Sequence, residues 1–244
     1  MNRMPVLPDG WTLHALKSVG STNDEAARLA EAGASEGTVV WALEQTGGRG
    51  RRGRLWASPV GNLYCSTILR PHCLAAQAAE LSFVAALAVA DMVPRGRDVR
   101  VKWPNDVLVD GGKIAGILPE SSIHEGGLAD HVVLGIGVNV AFAPQLPEMR
   151  YPGAALGGSV EMALERLTAA LARWLTLWRT RGFEPIRTAW LVKAGPLGAG
   201  VDVKLGKELV RGRFAGMDRE GALLLDTAGG PRRIVSGEIL GRAA

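Results

Sequence analysis

The chain is short of cysteine and histidine, and each shortage closes off a class of function. Two cysteines in 244 residues, Cys65 and Cys73, cannot build a disulfide scaffold. Four histidines (His14, His72, His124 and His131) are scattered, and none stands at metal-ligand spacing from a cysteine. No nucleophile-elbow string occurs. The phosphate loop of NTPases is missing too: the nearest string, from Gly200 to Gly206-Lys207-Glu208, has the wrong spacing and no Ser or Thr. Residues 1–10 hold no apolar run and do not read as a signal peptide. The longest apolar-rich stretch, residues 74–93, contains Gln77, Glu80, Ser82 and Asp91, which a membrane span would not carry cheaply. There is no internal repeat and no low-complexity tract. These absences point to a cytoplasmic protein with no membrane partner.

The sharpest absence is local. No acidic residue follows Glu44 until Glu80, and inside that gap residues 45–54 read QTGGRGRRGR, with four arginines and four glycines in ten residues. Glycine is the most flexible residue and arginine the best planar donor to phosphate and carboxylate. Such a segment cannot enter a core, but it can order around an anion. Gly48, Gly50 and Gly53 fit the dinucleotide fingerprint as a string, yet Arg54-Leu55-Trp56-Ala57-Ser58-Pro59 follows where a helix should begin. The remainder is ordinary for a globular protein: 47% hydrophobic, 21% charged, net charge +4. That basic bias suits anionic substrates and brings nucleic acid into consideration.

Residues 11–19 alternate weakly and predict a strand. Ser21-Thr22-Asn23-Asp24-Glu25 opens a helix, with capping-box spacing from Ser21 to Asp24 or from Thr22 to Glu25, and Gly33 ends it. Strands are predicted over 38–43 and 62–69, so the basic loop is held at both ends. A long helix is expected over 75–93 and a strand over 99–103, then a Pro104-Asn105-Asp106 turn. Residues 107–109 and 113–118 form a hairpin through Asp110-Gly111-Gly112, and 131–140 is a further strand. Helices follow over 160–181 and 183–192. After Gly195-Pro196-Leu197-Gly198 the pattern changes to short strands over 201–205, 209–218, 222–226 and 232–236, which predict a small β-barrel or sandwich and a boundary near residue 196.

Strand parity sharpens a site. In residues 134–140, Leu134, Ile136, Val138 and Val140 share one face, while Gly135, Gly137 and Asn139 share the other. Glycines inside a strand mark close approach by a ligand or by other backbone. Lys113 opens an apolar strand on the face of Ala115, as a solvated end or as a cation aimed into a site. Lys102, Trp103, Asn105 and Asp106 add a cation, a ring and two polar groups on one turn. Cations, amides and glycine-lined backbone suit the stabilisation of charge during phosphoryl or nucleotidyl transfer.

Ser21-Thr22-Asn23, then GRGRRGR at 48–54, KWPND at 102–106, KIAGIL at 113–118 and GIGVN at 135–139 follow one another in an order and spacing that resembles the biotin protein ligase family over about residues 18–140. The resemblance implies an α+β fold: a mixed sheet with helices on one side, over residues 1–195, and an SH3-like barrel over 196–244. It implies activation of biotin by ATP to biotinyl-5′-adenylate, then transfer to a lysine of a biotin carboxyl carrier domain. Ser21, Thr22, Asn23 and Gln45 would hold biotin. Arg49, Gly50, Arg51 and Lys113 would meet its carboxylate and the α-phosphate. Trp56, Asn105 and Asn139 would line the nucleotide site, and Arg54 and Arg242 would reach the triphosphate. Asp106 would orient or deprotonate the carrier lysine. Magnesium is implied by the chemistry, with no identifiable ligands. Some family members carry an N-terminal DNA-reading domain; about ten residues before the first strand are too few for one, so the ligase-only form, without sequence-specific nucleic-acid binding, is expected. A lipoate or octanoyl transferase would share the fold type, but its Gly-Gly-Gly loop ahead of a histidine is not seen. A nucleic-acid module would have no use for the faces cleared at Gly135 and Gly137.

Overall fold

The computed structural model describes residues 4–124, 126–144 and 152–241. The first half interleaves β1 (Thr12–Val19), α1 (Thr22–Glu31), β2 (Thr38–Gln45) and β3 (Leu63–Leu69), followed by α2 (Ala75–Ala78) and α3 (Leu81–Met92). Then come β4 (Val99–Lys102), β5 (Asp106–Val109), β6 (Gly112–Ile123), β7 (Ala129–Val138), α4 (Val160–Arg181) and α5 (Glu184–Lys193). These strands form a seven-stranded sheet in the order β1-β2-β3-β7-β6-β5-β4. It is mixed: β1 and β2 run parallel and the other neighbours antiparallel.

The two faces of the sheet are covered differently. Val39, Trp41, Cys65, Leu134 and Ile136 join the main core with α3, α4 and α5. Their neighbours Val40, Ile68 and Val133 point the other way and meet Ala26 and Ala30 of α1. So the helical layer is α2 to α5, while α1 lies alone on the opposite face and leaves the rest of that face open. α3 is apolar on nearly every side, and of its residues only Asp91 is exposed. Each fully buried Leu, Val or Phe there is worth about 1.5–3 kcal/mol of burial.

The helix expected over 75–93 is broken. The chain turns at Ala79 and Glu80, where Ser82 and Phe83 bond back three residues instead of four. The Glu80 carboxylate accepts from the Trp178 indole at 2.6 Å, which ties the break to α4. By length and composition Ala75–Met92 could cross a membrane, but it is interrupted here and largely buried inside the fold.

β8 (Gly200–Leu205), β9 (Glu208–Met217), β10 (Leu223–Thr227), β11 (Gly230–Ile234) and β12 (Glu238–Gly241) form a second, antiparallel sheet in the order β11-β10-β9-β8-β12. Sequence pattern missed β12, whose residues 238–241 carry no alternation long enough to register. Among the described residues no ladder joins β11 to β12, so the small barrel is open. This sheet is fastened to the rest of the fold by Trp103, just after β4, whose indole donates to the Gly221 carbonyl at 3.0 Å, and by Arg187 of α5, which donates to that of Met217 at 2.7 Å.

Candidate active site

The open face of the large sheet, the N-terminus of α1, the basic loop and the edge of the small sheet enclose one cleft of about 940 Å³. Ser21, Thr22, Asn23 and Gln45 line it at one end; Arg49, Gly50, Arg51, Arg54 and Trp56 come from the loop. Asn105, Asp106, Lys113 and Asn139 line the remainder. Arg242 lies outside the described residues.

One end is neutral and built for hydrogen bonding. The Gln45 side-chain carbonyl accepts from the Thr22 amide and hydroxyl at 2.9 and 3.0 Å, and its amide donates to Ser58 at 2.9 Å. Ser66, fully buried on β3, donates to Asn23 Oδ1 at 2.6 Å and lies 2.8 Å from Thr22 Oγ1. The Asn23 amide donates to Glu120 at 2.7 Å and to the Leu118 carbonyl at 3.2 Å. Ser21 occupies the cap position of α1, but its hydroxyl makes no capping bond, contrary to the capping box expected from spacing. The Gln45 side-chain carbonyl takes the first amide of the helix instead, and the Ser21 hydroxyl has no partner among the described residues. Ser66, Ser58 and Glu120 were missed in sequence.

The floor is glycine. A Cβ on Gly135 would stand 2.1 Å from Asn23 Oδ1, and one on Gly137 would stand 2.4 Å from Trp56 Nε1. A Cβ on Gly116, which pairs with Gly137 across the ladder, would meet the same indole at 3.0 Å. The cleared face predicted from parity is therefore present, but Asn23 and Trp56 side chains lie on it and become the surface the cleft presents. The Trp56 indole N–H is buried without a partner among the described residues.

The other end is cationic. Asp106 sits between two lysines, 2.7 Å from Lys113 Nζ and 3.2 Å from Lys102 Nζ. Burial pushes its carboxyl up, but the two ammoniums outweigh burial and hold it below the ordinary carboxylate range. Burial likewise pulls Lys102 down, against the attraction of Asp106. Lys113 also stands 5.3 Å above the Trp56 ring. It does not share a face with Ala115 as alternation predicted. Val107 pairs with Ala115 and Leu108 with Lys113, so Ile114 is an extra residue in β6. That bulge leaves Ala115 in the helix-covered core and turns Lys113 into the cleft.

The arginines differ. Arg51 is half-buried and donates at 3.4 Å to two neutral oxygens, Asn105 Oδ1 and the Gly237 carbonyl. Burial lowers its pKa, and it has no carboxylate partner among the described residues. Arg49 is held by Asp24 and Glu120. Arg54 forms a two-pronged pair with Glu238 of β12. Glu238 also attracts Arg51 and Lys102 from across the cleft, while Asp106 is the carboxylate in direct contact with both lysines. Asn139 donates to the carbonyls of Lys113 and Ala154, both at 3.2 Å, which fixes the strand carrying the lysine. Asn105 similarly donates to the Ile117 carbonyl at 2.8 Å.

Residues 15–139 match the biotin/lipoate A/B protein ligase family, and residues 197–240 match the biotin protein ligase C-terminal domain. A biotin–[acetyl-CoA-carboxylase] ligase of Paracoccus denitrificans is 44% identical over 92% of this chain and 98% of its own length. The bifunctional ligase/repressor of Escherichia coli is 34% identical over 97% of this chain and 76% of its own. Among solved structures, the biotin protein ligase of Aquifex aeolicus in complex with biotin and ATP is similar, with a TM-score of 0.77 at 30% identity, covering 93% of this chain and 97% of that one. By its fold and by its relatives along nearly its whole length, the chain belongs to the biotin protein ligase family.

Proposed function

We propose that this chain joins biotin to ATP, releasing pyrophosphate and forming biotinyl-5′-adenylate, and then passes the biotin to a lysine of a biotin carboxyl carrier domain in the cytoplasm. The observation that carries the reading is the polarity of the cleft. One end offers hydroxyls and amides, and the other offers Arg51, Lys102 and Lys113 around Asp106, with Glu238 engaged by Arg54. Biotin has the same polarity, with a neutral ureido ring at one end and a carboxylate at the other.

In this reading Ser21, Thr22, Asn23 and Gln45 receive the ureido ring. A biotin carboxylate oxygen attacks the α-phosphorus of ATP, and the bond to the β-phosphate oxygen breaks. Both reactants are anions, so the step needs cations that bear on each. Arg51 and Lys113 take that part, with the Gly50 backbone beside them. Trp56 and Asn139 flank the nucleotide, Asn105 holds Arg51, and Arg54 together with Arg242 attends the triphosphate. In the second step the carrier amine, having lost a proton, attacks the carbonyl carbon and AMP leaves. The mixed anhydride is labile to water, and the loop over the cleft shields it.

The donor set does not suit a resident metal. Among the described residues no group of three or more His, Cys, Asp or Glu could hold one. Asp106 is taken by lysines and Glu238 by Arg54. Magnesium would then enter with ATP, as part of the nucleotide substrate. The chain is proposed to divide near residue 196, with residues 1–195 binding biotin and ATP and residues 196–244 forming the small barrel.

Titration calorimetry with biotin, lipoate and duplex DNA tests the assignment. Heat with biotin and none with the other two supports it. Equal binding of lipoate, or DNA binding that is site-selective at physiological salt, overturns it.

A further inference from the structure

Arg49 and Arg51 stand two residues apart in one loop, yet their surroundings are opposite. The Arg49 guanidinium spans two carboxylates: Asp24 of α1 at 2.7 and 2.9 Å, and Glu120 of β6 at 3.0 and 3.1 Å. Its positive charge is thereby stabilised, first by its hydrogen bonds to Asp24. Glu120 does double duty, since its Oε2 also accepts from Asn23 at 2.7 Å. Asn23 in turn lies against Ser66 and over Gly135. One carboxylate thus links the neutral wall of the cleft to the basic loop. A carboxylate pair at the mouth of a site for anions repels the ligand, unless its task is to hold the arginine rather than present it.

We infer that Asp24 and Glu120 are positioning residues which clasp Arg49, pinning the glycine-rich loop across the cleft mouth to α1 and β6, so that Arg51 rather than Arg49 is the loop arginine offered to the biotin carboxylate. The clasp is on the structure itself; only what it closes over rests on the ligase reading above. Its chemistry fits a gate. Both carboxylates are substantially exposed, Asp24 at 64% and Glu120 at 42%, so the pairs are weak enough to open for substrate entry and strong enough to favour closure. Neither acid appeared as a candidate in the sequence, because each has an exposed element end as its ordinary setting.

The test sets Asp24→Asn/Glu120→Gln against Arg49→Gln. Both amides keep the side-chain shape, and Gln at 120 still accepts from Asn23. Ligand-free proteins are first cut with trypsin, which cleaves after the loop arginines. The clasp predicts faster cleavage in the double variant, with Asp24→Asn alone intermediate; unchanged cleavage overturns it whatever the ligand is. Biotin dissociation is then followed by stopped flow. Two exposed pairs, each worth up to about 1 kcal/mol, correspond to about five- to thirtyfold faster release. The native rate should rise with salt more steeply than the double variant's, since only the native protein has the clasp pairs to screen in addition to the ligand's own charge contacts. Arg49→Gln should release biotin equally fast, and adding it to the double variant should change nothing further. If Arg49 instead contacts substrate anions, freeing it from two carboxylates tightens biotin or ATP binding while Arg49→Gln weakens it; opposite signs overturn the inference. If the native protein binds no biotin while trypsin still separates the variants, the ligase reading fails and the clasp stands.

Discussion

Asp106→Asn is the most discriminating single change, because it separates two roles for one carboxylate. The side chain bridges Lys102 and Lys113, and the three are 15%, 11% and 24% exposed. Removing one partner of a buried ion pair costs about 3–5 kcal/mol, because the survivor is left desolvated and uncompensated. Here Lys113 is partly exposed and can turn toward solvent, so about 2–3 kcal/mol is expected in the denaturant midpoint. The kinetic effect follows from position. Lys113 is held at 2.7 Å by the carboxylate that the variant neutralises. A shift of about 1 Å in such a group costs roughly a hundredfold in rate. A carboxylate held ionised by two ammoniums is also a poor base for a carrier lysine, whose ordinary pKa is about 10.4. Asp106→Asn should therefore slow adenylate formation by about a hundredfold, and transfer from preformed adenylate by no more than that. Pyrophosphate release reads the first step, and single-turnover loading of a carrier domain reads the second. Native-rate adenylation with slow transfer alone would refute this and restore Asp106 as the group that serves the acceptor lysine.

The same cleft yields three further outcomes. Lys113→Ala should stay folded and lose about two to three orders of magnitude in pyrophosphate release while retaining biotin, whereas Lys113→Arg should rescue only in part, since a planar fork does not replace a compact charge; near-native release by Lys113→Ala would make the lysine a bystander. Gly137→Val should place its branched carbon where the Trp56 indole now lies, 2.4 Å from Nε1, so the ring is expelled and ATP-dependent activity lost with little change in thermal stability; an active variant would show that the floor tolerates bulk. Because the folded Asp106 carboxyl titrates below its ordinary value, its pairing contributes stability above about pH 4 and loses it as pH falls through the folded pKa. Asp106→Asn should accordingly flatten the acid limb of the stability profile below about pH 4, and an unchanged limb would place the acid sensitivity elsewhere.

Most of the architecture was legible because it is written in local period. Alternation marked β7 and placed Gly135, Gly137 and Asn139 together, and the change of pattern after residue 196 marked the small sheet. What failed were features decided between elements. The break at Ala79 and Glu80 depends on Trp178, ninety-eight residues away in sequence from Glu80. Lys113 was put on the face of Ala115 because strict alternation hides a bulge, and nothing in KIAGIL announces that Ile114 is the extra residue. The glycine floor was read correctly as cleared space, but its occupants, Asn23 and Trp56, come from α1 and from the loop. For the same reason, the acids that engage Arg49 belong to two distant elements and could not be seen beside it.

The central claim is that this cleft couples biotin to ATP before any carrier is present. The most direct measurement is pyrophosphate release from ATP by the purified chain without carrier domain, with biotin and then lipoate as the only added acid. The account predicts a burst of about one equivalent per site with biotin, arrested by retention of the adenylate, and none with lipoate or without added acid. A burst with lipoate, or none with biotin, would contradict it.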